Sequence, residues 1–95
     1  MSEELDDVKL RAAILEFLVK KGRWGAHYFP LDTLVNWLGK KVRRDGKRVL
    51  RTVKQLVGEG HLVIHKRGET VSLNSAKSKD IVDYLRRVKE GSATD

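Results

Sequence analysis

KRVLRTVKQLVGEGHLVIHKRGETVSLN, residues 47 to 74, changes its apolar rhythm halfway along. Up to Val57 the aliphatic residues Val49, Leu50, Val53, Leu56 and Val57 recur at spacings of one, three and four, the stripe of a helix. From His61 onward apolar and polar residues alternate with period two, the pattern of paired strands with one covered face. Gly58 and Gly60 stand between the two patterns, where a helix would stop. The sequence therefore predicts a helix over about 45–58, with Asp45 as an acceptable N-cap, running into a β-hairpin over 61–74. Pairing Lys66 with Glu69 across Arg67-Gly68 sets Ile64 opposite Val71 and Leu62 opposite Leu73 on one face. His65, Thr70, Val63 and Ser72 then fall on the other. Arg67-Gly68 lacks the Asn or Asp that a type I′ turn prefers first, which points to a longer or bulged loop.

The predicted helix is unusually charged. KKVRRDGKRVLRTVK, residues 40 to 54, holds eight basic side chains against one acid, while the other eighty residues balance at twelve and twelve. The net charge of +7 is therefore one local patch, able to attract phosphate through its own field. At about 100° per residue, Arg44, Lys47, Arg48, Arg51 and Gln55 lie opposite the aliphatic stripe. One side of the helix anchors it, and the other presents cations.

Working outward, residues 5 to 21 predict a long first helix that begins in an acid-rich turn and ends at Gly22. Leu5, Val8, Ala12, Leu15 and Val19 form one stripe, and Leu10, Ile14, Phe17 and Leu18 a second, nearly opposite, so this helix needs cover on two sides. GRWGAHYFP reads as a loop with a short strand at 27–29 before Pro30. LDTLVNWL, residues 31 to 38, predicts a second helix with Leu31, Leu34, Val35 and Leu38 inward, Trp37 to the side and Gly39 as its stop. A last helix is expected over 76–90, introduced by Ser75 or Ser78 and closed by Gly91, with Ile81, Tyr84, Leu85 and Val88 on one stripe. Residues 1–4 and 91–95 are expected to fray, and no repeat or linker divides residues 1–95, so one α+β, mostly helical domain is expected.

The order helix, short strand, helix, turn, basic helix, two-stranded hairpin, helix resembles the winged helix-turn-helix family over about residues 8–74. YFPLDTLVNWLG, RRDGKRVLRTVKQLVGEGHL and VIHKRGETVSL carry the resemblance. The passage LVGEGHLV, in which apolar residues, a glycine break and an immediate aliphatic strand join helix to hairpin, is its most specific piece. The family's fold is a three-helix core with a short strand and a two-stranded wing, and the helix over 76–90 stands outside it. What the resemblance implies is a duplex DNA-binding protein, a transcriptional regulator, with the helix over 45–58 in the major groove and the wing over 61–74 on the backbone. Arg44, Lys47, Arg48, Arg51 and Gln55 would then face the groove, where Arg suits guanine and Gln adenine. Lys40, Lys41 and Arg43 suit phosphates, and Lys66 and Arg67 would sit at the wing tip. The turn GKKVRRDG is longer and more basic than the tightest members have. The same charges would also serve a winged-helix adaptor meeting an acidic protein partner, or a binder of structured RNA.

Other chemistry finds little material. There is no cysteine, so disulfides, thiolate metal sites and cysteine nucleophiles are excluded. His61 and His65 would lie about 13 Å apart on an extended strand, too far to share a metal. No nucleophile, base and orienting group assemble, and no glycine-rich phosphate loop is present, so neither enzymatic activity nor a cofactor is expected. Trp24, Tyr28 and Phe29 read as core residues of a small domain ahead of base-stacking ones. No apolar run spans a bilayer and MSEELDD is unlike a secretory signal, so a cytoplasmic protein without a membrane partner is expected, nucleoid-associated in a prokaryote. The second stripe of the first helix calls for a cover: the last helix of the same chain, or that of a second copy in a symmetric dimer through Ile14, Leu18, Ile81, Leu85 and Val88, the arrangement slightly favoured.

Overall fold

The computed structural model describes residues 7–40 and 46–93, so Lys41, Arg43, Arg44 and Asp45 lie outside the described residues. The elements run α1 (Asp7–Lys20), β1 (Phe29–Pro30), α2 (Leu31–Gly39), α3 (Gly46–Gly58), β2 (Leu62–His65), β3 (Thr70–Leu73) and α4 (Ser78–Ala93), an α+β, mostly helical architecture. The strands form one antiparallel sheet in the order β1-β3-β2.

α1 and α3 end by the same device. Gly22, at φ 67°, donates to Val19 O at 3.0 Å while Arg23 N donates to Leu18 O at 3.0 Å. Gly60, at φ 88°, donates to Val57 O and His61 N to Leu56 O, both at 3.0 Å. In each case a left-handed glycine closes the last turn by satisfying two carbonyls that the helix leaves over, a conformation that costs other residues. Gly39 differs from these two. It is the last residue of α2, is buried, and is followed by Lys40 in right-handed helical geometry (φ −65°, ψ −28°), so the helix ends there without a left-handed reversal.

The hairpin register is the expected one, with Leu62 opposite Leu73 and Ile64 opposite Val71. The ladder stops at His65 and Thr70, so four residues connect the strands. Glu69 N donates to Lys66 O at 3.1 Å around Arg67 (φ 58°, ψ 34°) and Gly68 (φ 90°), a type I′ turn. Lys66 is itself left-handed at φ 52°, which ends the ladder one pair early.

The outer face of the hairpin, opposite the apolar pairs, is also covered. Ser72 is 0% exposed. The 23–28 loop covers it: Ser72 Oγ donates to Gly25 O at 2.8 Å, His65 Nε2 lies 3.2 Å from the same Oγ, and Tyr28 stacks on His65 with ring centroids 3.9 Å apart. The loop is laced to β3 by its backbone, Leu73 N donating to Arg23 O at 2.8 Å and Gly25 N to Leu73 O at 3.0 Å.

The core joins every helix to the sheet through Leu10, Ile14, Leu15, Leu18, Leu34, Leu38, Val49, Val53, Leu56, Val71, Leu73 and Ile81, with Trp24 and Phe29 packed against it. Each fully buried aliphatic side chain contributes about 1.5–3 kcal/mol relative to exposure. Within one chain α1 packs on α3 and β3 and on α4, with Leu10, Ala12, Ile14, Leu15 and Leu18 buried, while Val8 of the first stripe stays exposed. Tyr84 Oη donates to Val8 O at 3.1 Å and Lys89 meets Glu16 at 3.0 Å across the contact with α4. Of the five residues named for a dimer contact, Ile14, Leu18 and Ile81 have no exposed surface in the single chain and Leu85 and Val88 are half-buried.

α4 also corrects the expected boundaries. A 3₁₀ turn at Ser75–Lys77 comes first, capped by Asn74, whose Oδ1 accepts from Ala76 N at 3.0 Å. The helix then starts at Ser78 and runs through Gly91 to Ala93, three residues past the expected end at 90. Gly is merely about 1 kcal/mol poorer than Ala inside a helix, which is no stop without a left-handed turn. No helix among the described residues is long and apolar enough to cross a membrane.

Candidate nucleic-acid interface

The outward face of α3 is rotated from the one the aliphatic stripe predicts. Thr52, unassigned by that stripe, is 4% exposed, while Leu50 and Val57 are half-buried. A threonine can occupy such a place because its hydroxyl finds a partner inside the helix, donating to Arg48 O at 2.9 Å. The rotation draws Arg48 partly inward, beside Thr52, and leaves Lys47, Arg51, Lys54 and Gln55 exposed. Lys54 is the residue that pattern reading missed. Its spacing from Lys47 and Arg51, seven and three residues, is the signal that could have found it.

The sequence places this row where it is because the back of the helix is fixed. Val49, Val53 and Leu56 are fully buried, and Gly46 brings the first turn against α2: a Cβ there would stand 3.2 Å from Val35 Cγ1. Lys47, Arg51 and Lys54 form no ion pair with a described residue. The ion pairs lie elsewhere, Arg11 with Glu59, Glu16 with Lys20 and Lys89, and Arg86 with Asp83. The carboxylates of Glu16 and Glu59 are both held below the ordinary range, chiefly by hydrogen bonds from Lys89 and from Arg11. Among the described residues, local neutralisation thus occurs on α1, α4 and the exit of α3 and not on this row.

A groove of about 530 Å³ separates α3 from the hairpin turn. Lys54 and Leu50 line it from α3, Asp32 and Val35 from α2, and Arg67 from the turn. Arg67 and Lys54 therefore face the same space, whereas Lys66 is exposed without lining it. The turn is seated against α2 by Leu31 N, which donates to Glu69 O at 2.9 Å. Lys40 is exposed at the far end of α2. Of the expected site residues, Lys47, Arg51, Gln55 and Arg67 thus border one side of the molecule, Arg48 sits at its edge, and Lys41, Arg43 and Arg44 lie outside the described residues.

The three histidines do not meet. His61 precedes β2 and turns to Glu59, with Nδ1 3.5 Å from Oε1, His65 packs on Tyr28, and His27 is exposed. Among the described residues no three His, Asp or Glu side chains are grouped to hold a metal. Compared with family models, curated proteins and solved structures, the chain matches none of them.

Proposed function

We propose that the chain is a winged-helix protein that binds duplex DNA as a transcriptional regulator, with α2 and α3 as its helix-turn-helix and β2–β3 as its wing. The observation that carries this reading is the row Lys47, Arg51, Lys54 on a helix whose opposite side is fully buried, with Arg67 across the adjoining groove. A rigid helix about 10–12 Å across fits the major groove, and cations without ion-pair partners among the described residues are available to phosphates and base edges. In this reading Arg51 and Gln55 address bases, while Lys40, Lys47, Lys54 and Arg67 meet the backbone on either side.

Binding of random-sequence duplex measured against salt tests it. Neutralising about six phosphates gives a log-log affinity slope near −5. Lys47→Glu with Arg51→Glu should abolish binding while leaving the thermal unfolding midpoint unchanged. Undetectable or salt-insensitive binding, or duplex affinity that survives both substitutions, overturns it. A structured RNA that outcompetes the duplex would move the partner from DNA to RNA.

A further inference from the structure

α2 has grooves on both flanks. The one away from α3, between α2, the end of α1 and β1, is a slot of about 480 Å³ lined by Phe17, Lys20, Lys21, Phe29, Thr33 and Trp37. Its wall is three rings at different angles. Phe29 meets Phe17 edge-on with centroids 5.2 Å apart, and Trp37 lies against Phe17 at 4.9 Å, tilted by 36°. Trp37 nonetheless remains 44% exposed, and of the large apolar residues so exposed among the described ones, Val8, Trp37 and Val82, it alone lines this slot.

The rim is of one sign. Lys20 and Lys21 are both exposed, Lys21 Nζ standing 5.6 Å from the Phe17 ring centroid, and among the described residues no carboxylate lines the slot. The carboxylate one turn before Lys20, Glu16, is 3.0 Å from Lys89 and 3.7 Å from Lys20, so it is already shared between two cations.

We propose that this slot binds an acidic peptide segment, which seats one bulky apolar side chain against Phe17, Phe29 and Trp37 and lays flanking carboxylates on Lys20 and Lys21. Binding energy in such contacts concentrates on a partly exposed Trp set in a concavity. Rings crossed at 80° and 36° make a recess for a side chain, not a platform for stacked bases. Among the described residues Thr33 supplies the one hydroxyl in the lining, too little to read base edges. The site is separate from the α3 face and does not depend on what that face binds.

The test titrates the full chain with a short acetylated peptide of Glu and Asp carrying a central Phe, followed by amide chemical shifts and tryptophan fluorescence. Saturable shifts are expected at Phe17, Lys21, Thr33 and Trp37, with the amides of Lys47, Arg51 and Gln55 unmoved. Trp37→Ala should weaken the peptide by about tenfold or more. Lys20→Glu with Lys21→Glu should weaken it comparably, and serves as the deciding variant if Trp37→Ala does not fold. Absence of saturable binding, shifts confined to α3, equal affinity for a Lys-substituted peptide, or tighter binding of oligothymidylate at the same residues would each overturn the proposal. Duplex binding by Trp37→Ala, measured in parallel, reports on the α3 reading alone.

Discussion

The outer face of α3 and the outer face of the β2–β3 hairpin look equivalent in sequence, each a polar side opposite an aliphatic one. They end differently. The first stays open, with Lys47, Arg51 and Lys54 exposed, while the second is closed over Ser72 by the 23–28 loop. A helix satisfies its own backbone, so its outer side is free unless a partner is supplied. A strand at the centre of a sheet offers hydrogen bonds on two edges, and the segment that takes the second edge brings its side chains along. Leu73 N and O bind the loop backbone at Arg23 and Gly25, and with it Tyr28 comes to rest on His65.

Four substitutions test this difference between the two faces and the contacts around them. Leu56→Ala removes a fully buried side chain from the back of α3 and should cost 2–5 kcal/mol, about what a cavity in a tight core costs, read from urea unfolding. Ser72→Ala leaves Gly25 O without its donor under the loop. The unpaired, partly buried carbonyl should cost about 1 kcal/mol, with faster amide exchange over residues 23–28, and no change in either would reduce the closed face to incidental contact.

Arg67→Asn should act in two opposite directions. Asn tolerates the left-handed φ that Arg67 adopts, so the fold should gain about 1 kcal/mol. Duplex affinity should fall and the salt slope flatten by about one phosphate. A gain in both would remove Arg67 from the interface.

Glu59→Gln should have the smallest effect, about 0.5 kcal/mol at neutral pH, as befits a half-exposed ion pair. Because Arg11 lowers the carboxyl pKa in the folded state, the stabilisation is present above the ordinary carboxylate range and is lost as pH falls through the lowered value. The gap between wild type and Glu59→Gln should therefore close in acid, by chemical denaturation at a series of pH values.

Much of the fold was legible where a local signal and its structural cause coincide. The glycines at 22 and 60 end helices because their conformation is their own, and the hairpin register follows from two apolar pairs. Gly91 misled because a glycine inside a helical stretch ends it only where the following residues can take up the freed carbonyls, whereas α2 does end at Gly39. The candidate face was legible in outline, since eight cations in fifteen residues leave little choice. Its centre was not: Thr52 counts as polar on a wheel, yet its hydroxyl is satisfied at Arg48 O, so it buries and turns the exposed arc toward Lys54. Asn74 escaped notice for a related reason, as its amide joins Gly60 O at 2.8 Å, a contact no periodicity encodes.

Leu73 and Asn74 carry a further consequence. Leu73 N donates to Arg23 O just beyond the end of α1, and Asn74 N donates at 3.0 Å to His61 O just beyond the end of α3. Two adjacent amides thus latch segments separated by 50 and by 13 positions along the chain, and neither latch can open without releasing a helix exit. Their protons should exchange with solvent only when the whole molecule comes apart, making this pair of amides an internal gauge of global stability against which local openings elsewhere can be measured.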